Sequence, residues 1–241
     1  MDTVATLLKA TRARLKAAAD PEFAAGLRRF FKEPVQPYGV RTPLVRELAR
    51  LAYAQVKQWP VADRDRFVTD LWKGGLLEEG AMVCHLYRRF AKSCGEREFG
   101  MFEQWINRYV RNWSHCDGVS TWLIAASIAN RPRLADRLAG WTKSKNRWKR
   151  RSAAVSLIQE AKQGRNTQTI FHICDLSLSD TDDMVQKGVG WLLKETYPRK
   201  PREVLDFLEG LRTHAPRLVL RLASEEMTEK HRKWLLTEPR P

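Results

Sequence analysis

Long hydrophobic runs are missing from this sequence of 241 residues. Its longest apolar candidate, residues 119–129, is shorter than the roughly 18 residues that a membrane-spanning helix needs. The N-terminal segment has an amphipathic pattern, without the basic start, apolar core and cleavage site of a secretory signal. We therefore expect a cytoplasmic protein that does not bind a membrane.

Motifs for metal ions, nucleotides and acyl transfer are also missing. The four cysteines have neither CxxC spacing nor the pattern of a disulfide framework, and the five histidines form no HExxH or HxxxH pair. No GxxxxGK(S/T), GxGxxG or GxSxG sequence occurs. We therefore expect no metal site and no cofactor, and we interpret the cysteines as buried thiols in a reducing compartment.

Two-residue alternation over β-branched residues is almost absent, whereas apolar residues recur at spacings of three and four. This pattern predicts an all-α chain. Four tryptophans follow one another at intervals of 41, 35 and 43 residues, near the roughly 40 to 47 of HEAT-like helix pairs; they are Trp72, Trp113, Trp148 and Trp191. We predict an α-solenoid of about six antiparallel HEAT-like helix pairs that form a curved, concave basic groove.

No composition shift or low-complexity linker divides the chain. We predict one domain over residues 1–228 and a basic, poorly ordered tail at residues 229–241. Near the N-terminus, the sequence YGVRTP predicts a turn in which φ of Gly39 is positive. Thr42 would be the N-cap of the next helix and Pro43 its first residue.

Positive charge is in large excess. The 43 lysines and arginines against 28 aspartates and glutamates give a formal net charge of +15, beyond the magnitude of about 2 to 8 that solubility requires. A polyanion is the natural partner, and nucleic acid fits better than a membrane because membrane-spanning runs are missing.

The sequence RNWSHCDGVSTW, residues 111–122, places an aromatic ring four residues ahead of a carboxylate. In a helix, Trp113 and Asp117 would share one face. Because aspartate is a poor helix former and an exposed tryptophan leaves much apolar area in water, the pairing suggests a functional site.

The densest basic segment, residues 143–151, contains six cations in nine residues and is interrupted by a tryptophan. It is either a solvated helix end or an anion-binding surface. Trp148 and Arg151 are three residues apart and would share a helix face. An arginine fork can hold two phosphate oxygens or pair with a carboxylate, so a structural ion pair between Arg151 and Asp117 stays open.

A third feature surrounds Trp191. Lys187 and Lys194 lie about one helical turn to either side. Gly188 and Gly190 would flatten the adjacent surface and let another backbone approach closely. A lone tryptophan at helical spacing is more often part of a core, but these neighbours favour an exposed platform. The tryptophans without such neighbours are assigned to the core or to helix packing: Trp59, Trp72, Trp105, Trp122 and Trp141.

Several segments, in this order over residues 23–228, resemble the AlkD-like DNA alkylation-repair glycosylases, which are built from HEAT-like repeats. The segments are YGVRTPLVREL, LWKGGLLEE, NWSHCDGVS, RWKRRSAAVS, QKGVGWLLKE and RLASEEM. The resemblance implies excision of positively charged N3- and N7-alkylated purines, such as 7-methylguanine and 3-methyladenine, from double-stranded DNA.

The resemblance also implies a set of site residues. Trp113 and Trp191 match the aromatic pair at the lesion, Asp117 the catalytic carboxylate and Arg151 its basic partner. Members of the family often carry an aromatic just before the aspartate and a second acid three residues after it, where this chain has Cys116 and Ser120. Residues expected to bind DNA are Arg41, which matches a position near DNA in the family, together with Lys143, Lys145, Arg147, Trp148, Lys149, Arg150, Lys187 and Lys194.

The chemistry agrees with this resemblance, because an alkylated purine is a cationic leaving group that needs little acid catalysis. A carboxylate beside the sugar would stabilise the oxocarbenium-like charge. No lysine is placed as a Schiff-base nucleophile beside Asp117, which predicts a monofunctional enzyme, and we expect a monomer. Two alternatives remain open: a non-catalytic HEAT-repeat protein that binds DNA or RNA, and a protein-interaction scaffold.

Overall fold

The protein is described by a computed structural model that covers residues 3–237, and it is built from helices joined by short turns. No β-strand occurs in that span, where the pairing of Gln36 with Leu76 is an isolated bridge. The all-α prediction is therefore confirmed. Within the same span, no helix is both long and apolar enough to cross a bilayer.

The α-helices, in chain order, have the following bounds: α1 (Thr3–Ala17), α2 (Pro21–Arg28), α3 (Thr42–Val56), α4 (Val61–Gly74), α5 (Leu77–Tyr87), α6 (Glu96–Arg108), α7 (Trp113–Gly118), α8 (Ala125–Asn130), α9 (Leu138–Trp141), α10 (Arg147–Val155), α11 (Ile158–Lys162), α12 (Thr167–Ser177), α13 (Asp183–Thr196), α14 (Pro201–Glu209), α15 (Arg217–Ala223) and α16 (Glu229–Leu236). Three short 3-10 segments and one π-helical segment connect some of them: Arg88–Ser93, Pro132–Arg137, Ser224–Glu226 and the π-helix Val119–Ile124.

The chain forms two compact units. The first contains residues up to Ser93 and residues 104–119, and the second contains residues 94–103 and those from Ser120 onwards. The prediction of one domain over residues 1–228, like that of a curved groove, stays a prediction. Residues 229–236 form α16 instead of the poorly ordered tail that the sequence predicts, and residues 238–241 of that tail lie outside the described residues.

Helix α5 is the centre of the first unit, where it packs against α3, α4 and α7. Nearly all of its residues are buried, from Leu77 to Tyr87, as expected for a helix surrounded by others. Beside it, Trp72 is 3% exposed and its ring lies 5.9 Å from that of Trp105. The assignment of Trp72 and Trp105 to the core is therefore confirmed.

His115 connects α7 to this core. Its Nε2 lies 2.8 Å from the carbonyl oxygen of Leu77, and its Nδ1 lies 3.2 Å from the side-chain amide nitrogen Nδ2 of Asn112. A carbonyl only accepts hydrogen bonds, so Nε2 carries the proton and Nδ1 accepts from the amide. Burial lowers the pKa of His115 to about 4, so the imidazole is neutral near pH 7.

A buried carboxylate holds the YGVRTP turn against α5. Glu78 is 4% exposed and accepts hydrogen bonds from the backbone N–H groups of Tyr38, Gly39 and Val40 at 2.8, 2.8 and 3.0 Å. These bonds satisfy three donors that the turn would otherwise leave unpaired. Glu78 thereby fixes the backbone that leads directly into Arg41.

The next carboxylate, Glu79, fastens α1 to the same place. It is fully buried, forms a 3.0 Å ion pair with Arg12 and accepts a 2.9 Å hydrogen bond from the Tyr38 hydroxyl. A buried carboxylate needs such partners because its desolvation is costly. The two carboxylates therefore join the segments YGVRTP and LWKGGLLEE, which lie about 40 residues apart in sequence.

The turn itself differs from its prediction by one residue. Gly39 has φ of 86°, as expected, and a Cβ there would collide with the carbonyl oxygen of Asp20. Arg41, not Thr42, is the N-cap of α3, and it forms no side-chain capping bond. Pro43 is consequently the second residue of α3.

In the second unit, α13 packs tightly against α10 and α15. A Cβ on Gly188 would lie 3.3 Å from Cγ of Arg151, and one on Gly190 would lie 2.7 Å from Cβ of Leu222. Both glycines therefore permit close helix packing inside the protein. The expected close approach of a backbone is confirmed at Gly190, where a Cβ would lie 3.0 Å from the carbonyl oxygen of Val219. The expectation that the two glycines flatten an exposed surface beside Trp191 is wrong, because both are buried.

Replacing Glu78 with glutamine should lower the free energy of unfolding by about 1.5 to 3 kcal/mol, because the amide nitrogen cannot accept the bonds that one carboxylate oxygen accepts. Urea denaturation measures this loss. The matched control is Glu47→Gln on the exposed surface of α3, where Glu47 makes an ion pair with Arg50 that is more than half exposed; its effect should stay below about 0.5 kcal/mol. Equal effects of the two substitutions would contradict the role given to Glu78.

Stability should also fall as the pH is lowered from about 6.5 towards 4. The folded-state pKa of His115 lies below its usual value, so the unfolded chain takes up a proton that the folded chain refuses. The stability is complete above pH 6.5 and is lost at up to about 1.4 kcal/mol per pH unit. In urea denaturation at pH 7 and pH 5, His115→Gln should show a smaller difference than the wild type, and an unchanged difference would exclude His115 as its source.

Candidate active site

Helix α7 carries the first two predicted site residues. The side chain of Asn112 caps it by accepting a 2.9 Å hydrogen bond from the backbone N–H of His115, as asparagine commonly does at an N-cap. Trp113 and Asp117 lie four residues apart in this helix and both are partly exposed. The prediction that they share a helix face is therefore met by the local structure.

The backbone after Asp117 leaves the regular α-helical pattern. The π-helix Val119–Ile124 follows α7 directly. Such segments are rare in proteins and are often found at functional sites. Each extra residue in a turn changes the direction of the side chains that follow.

Cys116 and Ser120, the two positions where the sequence departs from the pattern of the family that it resembles, have inward-facing side chains. Cys116 is fully buried in the first unit. In the second unit, Ser120 is also fully buried, and its hydroxyl donates a 2.8 Å hydrogen bond to Ser152 on α10. These side chains contribute to packing.

Trp113 borders a cleft that the sequence reasoning did not predict. The cavity measures about 300 Å³ and lies within the first unit. We call it the aromatic cleft, and its apolar walls include Phe23, Leu27, Phe30, Phe31, Val45 and Trp113. The rings of Phe31 and Trp113 stack with centroids 5.2 Å apart and an angle of 18° between planes, a favourable offset arrangement. Phe30 is 75% exposed.

The signal for this cleft was present in the sequence. The paired phenylalanines Phe30 and Phe31 follow two arginines, just before a proline-containing turn. Periodicity alone assigns such residues to the end of an amphipathic helix. Only the fold shows that this end lies against Trp113.

Arg41 is exposed on the same unit. Its guanidinium lies over the ring of Phe23, 4.1 Å from the centroid, which restrains the side chain through a cation–π contact. Because Phe23 lines the aromatic cleft, Arg41 stands at its edge.

The other two predicted site residues belong to the second unit. Arg151 is 6% exposed, and its Nη1 donates a 2.6 Å hydrogen bond to the carbonyl oxygen of Met184. Trp191 is partly exposed, and its Nε1 donates a 2.9 Å hydrogen bond to Glu195. Arg151 packs against Gly188, one turn before Trp191 on α13.

Much of the predicted basic surface is paired with acids. Arg147 lies 2.8 Å from Asp182, and Arg150 lies 2.6 Å from Asp180. The remaining pairs, at 2.8, 3.2 and 3.0 Å, are Lys149 with Glu103, Lys187 with Asp183, and Lys194 with Glu225. A cation held by a carboxylate contributes less to the field that attracts an anion.

Trp148 is buried, contrary to the expectation that it contacts DNA. It is 4% exposed, and the guanidinium of Arg147 lies over its ring. Because a buried ring has no free face for a base, direct contact between Trp148 and DNA does not fit the structure. By contrast, Lys143 and Lys145 are exposed. DNA contact by these two lysines stays a prediction.

Comparisons with known proteins agree with one another. Residues 11–227 match the family described as DNA alkylation repair enzyme. A solved structure, described as a predicted DNA alkylation repair enzyme from Enterococcus faecalis, has a TM-score of 0.79 and 16% sequence identity, covering 88% of this chain and 97% of that one. No curated protein matches the chain. The fold is shared with that structure, and the family match spans most of the sequence: the chain belongs to the DNA alkylation repair enzyme family.

Proposed function

We propose that this protein is a monofunctional DNA glycosylase that hydrolyses the N-glycosidic bond of cationic N3- and N7-alkylated purines in double-stranded DNA. The observation that carries the proposal is the pairing of Trp113 and Asp117 on one face of α7, both partly exposed. Membership of the repair family and the net charge of +15 support it.

Asp117 is the catalytic carboxylate in this proposal. An alkylated purine already carries a positive charge, so it leaves with the electrons of the glycosidic bond and needs little protonation. The sugar then develops positive charge at C1′, which a nearby anion stabilises. The same carboxylate can orient the water that adds to C1′ and accept its proton.

Trp113 and Trp191 are the proposed aromatic contacts of the lesion. An indole face attracts a cation by roughly 0.5 to 2 kcal/mol, depending on how far the site is desolvated. Phe31 stacks on Trp113 at 5.2 Å and holds that indole in place. The proposal gives Phe31 a positioning role that the sequence reasoning did not include.

Arg151 is proposed as the basic partner of the site, but its burial limits its access to a phosphate. One of its nitrogens is committed to Met184, and the side chain anchors α10 to α13. Its contact with a phosphate stays a prediction.

The resemblance to the glycosylase family also bears on the position of the damaged base. It implies an open groove in which the base stays stacked in the duplex, whereas many other enzymes rotate the base into a deep pocket.

A non-catalytic DNA-binding protein is the alternative function. It would use the same excess of positive charge, and its affinity would depend on salt in the same way. Release of the base separates the two functions, because a binding protein gives none.

Asp117→Asn should abolish release of 7-methylguanine from methylated duplex DNA, while its affinity for the duplex should change by less than about threefold. The loss is expected because the amide cannot stabilise positive charge on the sugar. Chromatography of the free base measures release, and fluorescence anisotropy measures binding. The control is Asp206→Asn, which removes an exposed carboxylate on α14. Unchanged release by Asp117→Asn would remove Asp117 from its proposed role.

Borohydride should trap no covalent adduct between the protein and lesion-bearing DNA. A monofunctional enzyme uses water and forms no Schiff base, whereas a lyase forms one through a lysine or the N-terminal amine. The measurement is denaturing electrophoresis of labelled DNA after reduction, with a bifunctional glycosylase as positive control. A trapped band would contradict the monofunctional assignment.

A further inference from the structure

A second cleft in the first unit has positively charged walls. It measures about 420 Å³ and is lined by Arg46, His85, Arg88 and Arg89. We call it the cationic cleft. The three arginines are exposed, and no carboxylate is part of this lining in the part of the chain that the structure describes.

The electrostatics of the cationic cleft favour an anion. The pKa of His85 falls to about 4, first because the ring is partly buried and then because Arg46, Arg88 and Arg89 repel a proton. Three arginines that converge on one cavity repel one another, and a bound anion relieves that repulsion. Guanidinium groups suit a phosphate because their planar donors match two of its oxygens.

The cationic cleft adjoins the aromatic cleft. His85 lines both, and α3 supplies Val45 to the aromatic cleft and Arg46 to the cationic one. Along the second wall, Ala81 borders the aromatic cleft, and Arg88 follows seven residues later. Seven helical residues advance by about 10 Å, so the two clefts are neighbours along this part of the chain.

We propose that the cationic cleft binds a backbone phosphate of the DNA duplex, beside the aromatic cleft that Trp113 borders. The position relative to Trp113 rests on the proposed glycosylase function, whereas the phosphate contact does not. Arg46, Arg88 and Arg89 are the proposed ligands. In this proposal the three arginines contact the DNA backbone and do not contact the alkylated base.

The test compares Arg46→Gln/Arg89→Gln with the wild type in binding to unmodified duplex DNA over a range of salt concentrations. Loss of one phosphate contact should reduce the slope of log affinity against log salt by about 0.9 and weaken binding about eightfold at 0.1 M salt. The control is Arg14→Gln/Arg202→Gln, which removes the same charge from exposed arginines on α1 and α14. It should change the affinity less than twofold.

Equal losses in the two double variants, or no loss in the cleft variant, would overturn the proposal. Circular dichroism compares the folding of both variants with that of the wild type. Arg46→Lys/Arg89→Lys keeps both charges and should retain most of the salt slope. If that variant loses the slope as completely as the glutamine variant, the effect is not electrostatic and the proposal fails.

A separate arm distinguishes DNA from free phosphate. Titration calorimetry with inorganic phosphate, at constant ionic strength, measures binding to the same two variants. Strong phosphate binding that disappears in the cleft variant while DNA affinity is unchanged would assign the cleft to a free anion and overturn the proposal. None of these measurements uses base release, so they stand even if the Asp117→Asn experiment refutes the glycosylase.

Discussion

The hydrogen bonds between the Glu78 carboxylate and the backbone of residues 38–40 are the constraint on which the first unit depends. They tie the turn before α3 to the central helix α5. The helix α5 in turn supports α7, because the carbonyl oxygen of Leu77 accepts a hydrogen bond from Nε2 of His115. The buried Glu78 and the neutral His115 thus set the positions of Arg41 and Trp113. Glu78 and His115 are not themselves candidate catalytic groups.

Charge is distributed unevenly over the described residues. The basic run that dominates the sequence is largely paired with acids, among them Asp180 and Asp182. The cations around His85 are grouped without a carboxylate in their cleft. Net charge therefore predicts the class of partner, whereas the arrangement of acids modulates the field around individual cations.

Several features were accessible from the sequence because they depend on local order. Helical periodicity gives the all-α class, and spacing gives the shared face of Trp113 and Asp117. Other features depend on partners distant in sequence. Helix α3 begins one residue earlier than the sequence predicts, in a turn whose backbone is bound by the Glu78 carboxylate of α5. The sequence predicts that Gly188 is part of an exposed surface, whereas Gly188 packs against the side chain of Arg151 on α10. The aromatic cleft required knowledge of which helix end meets Trp113.

In the proposed function, the site stabilises the departure of a cationic base. The decisive measurement incubates the wild-type protein with two duplexes that differ in one base. One contains 7-methylguanine, which is cationic, and the other contains O6-methylguanine, which is neutral. We expect release of free 7-methylguanine, with an abasic site left in the strand, and no release of O6-methylguanine. Tight binding without release of either base, or equal release of both, would contradict it.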